Sequence, residues 1–406
     1  MARKLSVKDV DVRGKRVLVR VDYNVPIKEG KVADDIRIEA SLPTIKYLLD
    51  NNAKVILMTH LGRPTGIDEA LRLNPVATRL SDLLNQPVKK VDETVCTNVT
   101  AEAQALKPGE VLLLENLRFN PGEKANDPKF AQKLAKLADI YVNDAFGTAH
   151  RAHASTFGVP SIMPVAVAGL LLEKELENLH YILTEPERPF YAVLGGSKVS
   201  DKIDVIDKFL DIVDGLFTGG GMLFTFLKAK GIEIGKSIVE ESQVEHAKRM
   251  MERAGQNNVD FYLPTDVVVA EDKEPGSEYK VVPADEIPAD WMGLDIGPET
   301  SKLYSEKMTS AKTIFWNGPM GVFEIEQFAG GTKAVALAIA NSGATTIVGG
   351  GDSDRALRKF GLEEKISFVS TGGGASLKVL EGSKLPGVEV LQDKEECLEQ
   401  AREAGS

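Results

Sequence analysis

The sequence predicts an α/β protein built on parallel β-sheet, in two halves separated by a helix. Three observations carry that expectation. Short apolar runs alternate with amphipathic stretches along nearly the whole chain. Four of those runs, all in the second half, end directly in a glycine cluster. Between the halves lies AGLLLEKELENLHYIL, whose apolar residues recur at helical spacing. A parallel strand buried on both faces reads as an unbroken apolar run, and strands alternating with helices imply βαβ units.

In chain order the first half offers the strands RVLVRV, AKVILMTH, VLLLEN and IYVNDAF, with amphipathic stretches such as ASLPTIKYLLDN and PVATRLSDLL between them. The connecting helix is expected over 169–183, opened after a Pro-rich turn and closed before TEPERP. Leu171, Leu172, Glu175, Leu176 and Leu179 form its mostly apolar stripe. The second half continues with FYAVLGG, GLFTGGG, FYLPTD, TIFWNG, TTIVGGG and FVSTGGG, and DKEECLEQAREAGS reads as a short polar helix at the end. A chain of 406 residues suits two or three domains. Domains are expected over 1–168 and 184–389, with the helix between them.

A net charge of −11 disfavours broad binding to nucleic acid or to an anionic membrane. It leaves room for a small anion, because a few focused cations outweigh a diffuse field at close range. MARKLSVKDVDVRGKR has no apolar signal-peptide core, and SIMPVAVAGLLL is too short and Pro-interrupted to span a bilayer. Cys96 and Cys397 are far apart and form no metal motif, which fits a reduced, cytoplasmic setting.

The two halves carry different residues just beyond their strands. In the first, Asp22 and Asn24 come after VLVRV, His60 and Arg63 after VILMT, Arg118 after VLLLEN, and His150, Arg151 and His153 after IYVNDAFGTA. Arg37 lies in the expected loop DDIRIEAS. Ligands of open α/β sheets bind at the carboxyl ends of the strands. Cations recurring there in four successive units predict a basic pocket for a small molecule with carboxylate and phosphate groups, which guanidinium groups grip in a bidentate fork. Asp22 and Asn24 could orient a hydroxyl.

In the second half the glycine clusters come after FYAVL, GLFT, TTIV and FVST. Glycine lets a ligand approach the backbone, and a helix starting there presents unpaired N–H groups to an anion. Lys198 and Lys202 are four apart in GGSKVSDKI, so they are expected on one face of a helix's first turns. Two ammonium groups there oppose each other and the helix dipole, a conflict a bound polyphosphate relieves. In GGGDS, Asp352 and Ser353 come after Gly350 and Gly351; Asp352 reads either as a Mg²⁺ ligand or as a helix N-cap. Gly372, Gly373 and Gly374 offer further backbone donors. GIEIGKS has one residue too few for a Walker A loop, and no GxGxxG succeeds a strand, so phosphate binding must use another arrangement.

Taken together, RVDYNVP, THLGRP, LENLRF, NDAFGTAHRAHAS, GGSKVSDKI, WNGPMGVFE, GGGDS and STGGGAS, in that order, resemble phosphoglycerate kinase over nearly the whole chain. The resemblance implies two Rossmann-like domains with parallel sheets joined by a hinge helix, with the tail 390–406 packing back on the first domain. It implies a cytoplasmic, monomeric glycolytic kinase. The reaction would be reversible transfer between 1,3-bisphosphoglycerate with ADP and 3-phosphoglycerate with ATP, in line and with domain closure, using Mg²⁺ at Asp352. Asp22, Tyr23, Asn24, Arg37, His60, Leu61, Gly62, Arg63, Arg118 and Arg151 would hold the phosphoglycerate. Lys198, Lys202, Gly293, Glu324, Gly350, Gly351, Asp352 and Ser353 would hold the nucleotide. Arg37, Lys198, Lys202 and Gly373 would serve the transition state. Phe368, Asp354, Arg355 and Lys378 depart from the family's usual residues without removing a matched ligand. A nicotinamide-dependent oxidoreductase and a non-catalytic metabolite-binding protein are the rival readings; the missing GxGxxG and the two lysines disfavour the first.

Overall fold

The computed structural model describes residues 3–397. Within it the chain forms two compact units. One runs to Glu177 and takes in the chain again from Ser383; the other is Asn178–Gly382.

The first unit is built on a six-stranded parallel sheet. From edge to edge its strands are Val88–Lys90, Val111–Leu113, Lys54–Met58, Arg16–Val21, Ile140–Asp144 and Ala166–Ala168. Arg16–Val21 is central, and every residue in it from Val17 onward is buried, so its sequence past Arg16 is apolar on both faces except at Arg20. Val17, Val19 and Val21 share a core with Ile38, Ile45, Val55 and Leu57. The helix Asn74–Leu84 opens with Pro75 in its first turn and stops at Asn85, whose φ of 52° is left-handed. The returning segment pairs with this unit: Gly387 N–H donates to Ala149 O at 2.9 Å, and Lys394 Nζ meets Asp9 Oδ1 at 2.7 Å. It joins from Ser383; of the returning tail 390–406 that the resemblance implied, 398–406 lie outside the described residues.

The connecting helix is Leu170–Thr184, and the division between the units falls within it. Its first turn is anchored in the first unit. Asp144 Oδ1 accepts from the N–H groups of Leu171 and Leu172 at 3.0 and 3.3 Å, and Thr44 Oγ1 accepts from Leu170 N–H at 2.9 Å.

The second unit also has a six-stranded parallel sheet, with strands Asp260–Tyr262, Gly215–Thr218, Phe190–Leu194, Thr313–Asn317, Thr345–Gly349 and Phe368–Val369 from edge to edge. Counted in chain order within the sheet, this is the doubly wound order 3-2-1-4-5-6. The order reverses between Phe190–Leu194 and Thr313–Asn317, where such sheets open a crevice for ligands. The sequence pattern missed one feature. After Tyr262 the chain leaves this sheet, and Asp266–Ala270 pairs antiparallel with Tyr279–Pro283 and Met292–Ile296. Tyr279–Pro283 is mostly exposed and carries no burial alternation, so it left no strand signal. Among the described residues, no helix is long and apolar enough to cross a membrane.

Candidate active site

In the first unit, three strand ends are tied together by hydrogen bonds. Asn24 Oδ1 accepts from Gly62 N–H at 2.8 Å, and Gly62 O accepts from Arg118 Nη1 at 2.5 Å. Asn116 braces the same loops, donating from Nδ2 to Leu61 O at 2.8 Å while Oδ1 accepts from the N–H groups of Leu61 and Arg118, both at 3.1 Å. Asp22 Oδ2 accepts from Arg37 Nη1 at 2.9 Å. Arg37 is not in a loop; it is the second residue of the helix Ile36–Asp50, which the sequence pattern began too late. Arg151 Nε donates to His150 Nε2 at 3.1 Å. Arg63 is exposed and makes no hydrogen bond or ion pair among the described residues, which leaves its guanidinium open to a ligand.

Tyr23 and Leu61 face inward. Tyr23 is buried in the core with its hydroxyl 2.8 Å from Ser41 Oγ, and its N–H donates to Thr59 Oγ1. Leu61 is buried too, and its N–H is taken by Asn116. Neither offers a side chain or a free N–H to a ligand.

The charges differ from a simple sum of Arg and His. Burial, reinforced by Arg20, Arg118, Arg151 and Arg37, pushes His60 well below the ordinary histidine range. Burial with Arg118 and Arg151 pushes His153 down to about 4. Both imidazoles are therefore neutral near pH 7, and the positive field at His60 comes from guanidinium groups. Arg118 itself is pushed down to about 10 by burial and by Arg151 and Arg20. Its Nε is buried without a hydrogen-bond partner among the described residues. A buried donor left unpaired among like charges is costly, and a bound anion relieves both costs.

Sequence reasoning missed Arg20. It lies inside the strand Arg16–Val21, is 1% exposed, and its Nη2 is 3.1 Å from His60 Nδ1. The available signal was a guanidinium in an otherwise apolar central strand. Such a charge is almost never buried without partners.

In the second unit the four glycine clusters lie at the carboxyl ends of strands Phe190–Leu194, Gly215–Thr218, Thr345–Gly349 and Phe368–Val369. Thr313–Asn317 supplies Asn317 and Gly318 between them. The cluster at 219–221 has a packing role. Gly220, at a φ of 67°, lies so close to the neighbouring loop that a Cβ would meet Gly196 N and O at 2.5 Å. Gly293 likewise makes room for Phe224, whose ring a Cβ would meet at 2.0 Å.

Lys198 and Lys202 do not share a helix face. The helix is only Ile203–Phe209; Lys202 sits at its N-cap and Lys198 in the preceding loop. The i,i+4 rule applies only inside a helix, and the chain first turns through Val199–Lys202, closed by Lys202 N–H to Val199 O at 2.8 Å. Lys198 is exposed, whereas Lys202 is 8% exposed. Lys202 Nζ donates to Asn317 O at 3.0 Å and also to Asn317 Oδ1. Asn317 Nδ2 in turn donates to Gly349 O at 2.8 Å, so one side chain joins two strand ends to the start of a helix. Burial pushes the Lys202 ammonium down to about 8, opposed by Asp201 and Asp352.

Asp352 is in the first turn of the helix Gly351–Phe360, and Gly350 holds the N-cap, which removes the N-cap reading. Its carboxylate meets Arg355 Nη2 at 2.5 Å, and the same Nη2 lies 3.5 Å from Glu324 Oε1. Ser353 is buried and its Oγ accepts from Gly318 N–H at 2.7 Å. Gly373, with a φ of 50°, precedes the short helix Gly374–Leu380.

A family model described as phosphoglycerate kinase matches residues 7–383. The chain belongs to the phosphoglycerate kinase family. It is similar to the phosphoglycerate kinase of Dictyoglomus turgidum, 56% identical over 397 residues, which is 97% of this chain and 100% of the relative. The Moorella thermoacetica phosphoglycerate kinase is 57% identical over 392 residues, 96% of this chain and 100% of the relative. Among solved structures, phosphoglycerate kinase from Coxiella burnetii aligns with a TM-score of 0.87 at 44% identity, covering 95% of this chain and 98% of the other. That of Pyrococcus horikoshii aligns at 0.84 and 35% identity, covering 97% and 99%. The family reaction is reversible phosphoryl transfer between 1,3-bisphosphoglycerate with ADP and 3-phosphoglycerate with ATP, a transfer to a carboxyl group.

Proposed function

We propose that the arginine-lined edge of the first unit holds the phosphoglycerate and the glycine-lined edge of the second holds the nucleotide. The observation that carries the first half is Arg118 Nε, buried and unpaired inside a cluster of guanidinium groups. Arg63 and Arg118 take the phosphate or carboxylate, and Asp22 and Asn24 orient the hydroxyl. The nucleotide half rests on Lys202 at the point where the strand order reverses, beside the first turn that carries Asp352.

Transfer to a carboxylate oxygen needs no general base, because the nucleophile is already ionised. The protein's task is positioning and charge neutralisation. Arg37, Lys198, Lys202 and the N–H groups of Gly372, Gly373 and Gly374 take that role. Asp352, 60% exposed, is a single carboxylate, and the described residues contain no cluster of three or more metal-binding side chains. That donor set fits a Mg²⁺ held mostly by phosphate oxygens and water, which would neutralise phosphate charge. We further place the enzyme in the cytoplasm as a monomer.

The test is a coupled assay with ADP and 1,3-bisphosphoglycerate on the wild type, Arg63→Ala and Lys198→Ala. Arg63→Ala is expected to raise KM for the phosphoglycerate substrate and Lys198→Ala to impair use of the nucleotide. If Arg63→Ala leaves phosphoglycerate KM unchanged, the assignment of the first edge fails.

A further inference from the structure

Behind the arginine-lined edge lies a buried chain of polar groups that substrate binding does not account for. Glu123 and Ser155 are 0% exposed, Arg20 is 1% exposed and His60 2%. Ser155 sits in a single π-helical turn, Ala154–Gly158, just past the basic loop. Its N–H and Oγ both donate to the Glu123 carboxylate, at 3.0 and 2.6 Å. Ser155 Oγ accepts from Arg20 Nε at 2.8 Å. Arg20 also donates from Nη1 to Val21 O, and its Nη2 lies 3.1 Å from His60 Nδ1.

A guanidinium has no acceptor, so the last contact has one direction: His60 Nδ1 accepts. The ring proton is then on Nε2. Burial first, and then the charges around the ring, keep it neutral: Arg20 from the central strand, Arg118 and Arg151 from loops later in the chain, and Arg37 from the helix Ile36–Asp50. Asp22 Oδ1, at 3.9 Å from Nδ1, is too far for a hydrogen bond to compete.

We propose that Glu123 and Ser155 are positioning residues that lock Arg20, and that Arg20 fixes His60 as the Nε2–H tautomer, a neutral N–H donor for the bound phosphoglycerate. Glu123 supplies the countercharge that lets a guanidinium remain inside the strand layer. Ser155 sets its orientation, because Arg20 needs one fixed rotamer to reach both Ser155 and His60. A neutral donor adds a directed hydrogen bond where a fifth cation would deepen the repulsion. The proposal rests on assigning this edge to phosphoglycerate.

The first test needs no substitution. Long-range ¹H–¹⁵N spectra of the wild-type enzyme report which ring nitrogen of His60 is protonated. A protonated Nε2 and bare Nδ1 from pH 6 to 8 are expected; a proton on Nδ1 overturns the proposal. The second test compares Ser155→Ala and Glu123→Gln by the same spectra and by steady-state kinetics. Both variants are expected to mix the two tautomers and to raise KM for 3-phosphoglycerate roughly 5- to 20-fold, with KM for ATP within about twofold. If Ser155→Ala folds and leaves both tautomer and KM unchanged, the chain has no positioning role. Arg63→Ala in the same assay separates the two readings. A KM that responds to Arg63→Ala but not to Ser155→Ala sinks this proposal alone, whereas no response to either sinks the phosphoglycerate assignment.

Discussion

Lys202 Nζ is buried against Asn317, donating to its backbone oxygen at 3.0 Å and to its side-chain oxygen. The pair ties the start of the helix that comes after Phe190–Leu194 to the end of Thr313–Asn317, the two strands between which the sheet order reverses. Burial lowers the Lys202 pKa to about 8, from an ordinary 10.5. Below pH 8 the folded, ligand-free protein therefore carries an unfavourable buried charge. As pH rises from about 8 towards 10.5 the folded state has shed its proton while the unfolded state keeps it, so stability is regained there.

Nucleotide binding should reverse that shift, because polyphosphate favours the ammonium. Near pH 8.5, ADP binding is expected to take up a fraction of a proton, and affinity should fall as pH rises beyond 8. Calorimetry in buffers of different ionisation enthalpy measures the uptake. In Lys202→Met the uptake should vanish; an unchanged value would remove Lys202 from the nucleotide site.

Arg118 holds a buried, unpaired Nε beside Arg151 and Arg20. Arg118→Ala is expected to raise KM for 3-phosphoglycerate roughly 10- to 100-fold, the usual scale for a charge-assisted hydrogen bond. Tens-of-millimolar sulfate should raise the wild-type Tm by occupying the cluster, and should raise that of the variant less. Equal sulfate stabilisation in both proteins would show that the anion binds elsewhere.

The range of the forces involved decides which parts of this molecule are legible in its sequence. The strand Phe190–Leu194 and the cluster after it are local, so FYAVLGG declares both. The reversal of strand order beside it is set by pairing between Phe190–Leu194 and Thr313–Asn317, far apart in sequence, and nothing local encodes that. Arg63 and Arg118 could be read because cations recur at successive strand ends. Arg20 shows locally only as a guanidinium in an otherwise apolar strand; its role does not, since its partners Ser155 and His60 arrive from elsewhere in the chain. Lys198 and Lys202 were misplaced because a spacing of four has meaning only once a helix is known to contain it. Tyr23 and Leu61 come with the family motif, and only the folded structure shows that their side chains face inward.

Asp144 anchors the start of the helix Leu170–Thr184 through the N–H groups of Leu171 and Leu172. Burial raises its pKa from 3.8 to about 7, an effect that Thr44 and the helix N–H groups only partly offset. Here the folded state keeps its proton longer than the unfolded state. Stability from this group is present below about pH 4 and is lost as pH rises to about 7. Urea titrations at pH 5 and pH 8 should therefore show the wild type losing about 2 kcal/mol relative to Asp144→Asn. A difference that does not change with pH would mean that the carboxylate is ionised throughout.

Arg37 gives the sharpest division between holding a substrate and accelerating its reaction. Its Nη1 is engaged by Asp22 Oδ2 at 2.9 Å, yet its side chain is still 37% exposed, so the rest of the guanidinium is free to meet developing charge. A group that acts mainly on the transition state lowers kcat and leaves ground-state affinities nearly intact. Arg37→Ala is expected to lower kcat roughly 10²- to 10³-fold, with the ATP dissociation constant within about twofold. Comparable losses in both would refute the transition-state role. A second variant tests the simpler possibility that Arg37 only steadies Asp22. In that case Asp22→Asn would reproduce the kcat loss of Arg37→Ala. The transition-state assignment requires Asp22→Asn to act chiefly on 3-phosphoglycerate KM, leaving most of kcat in place.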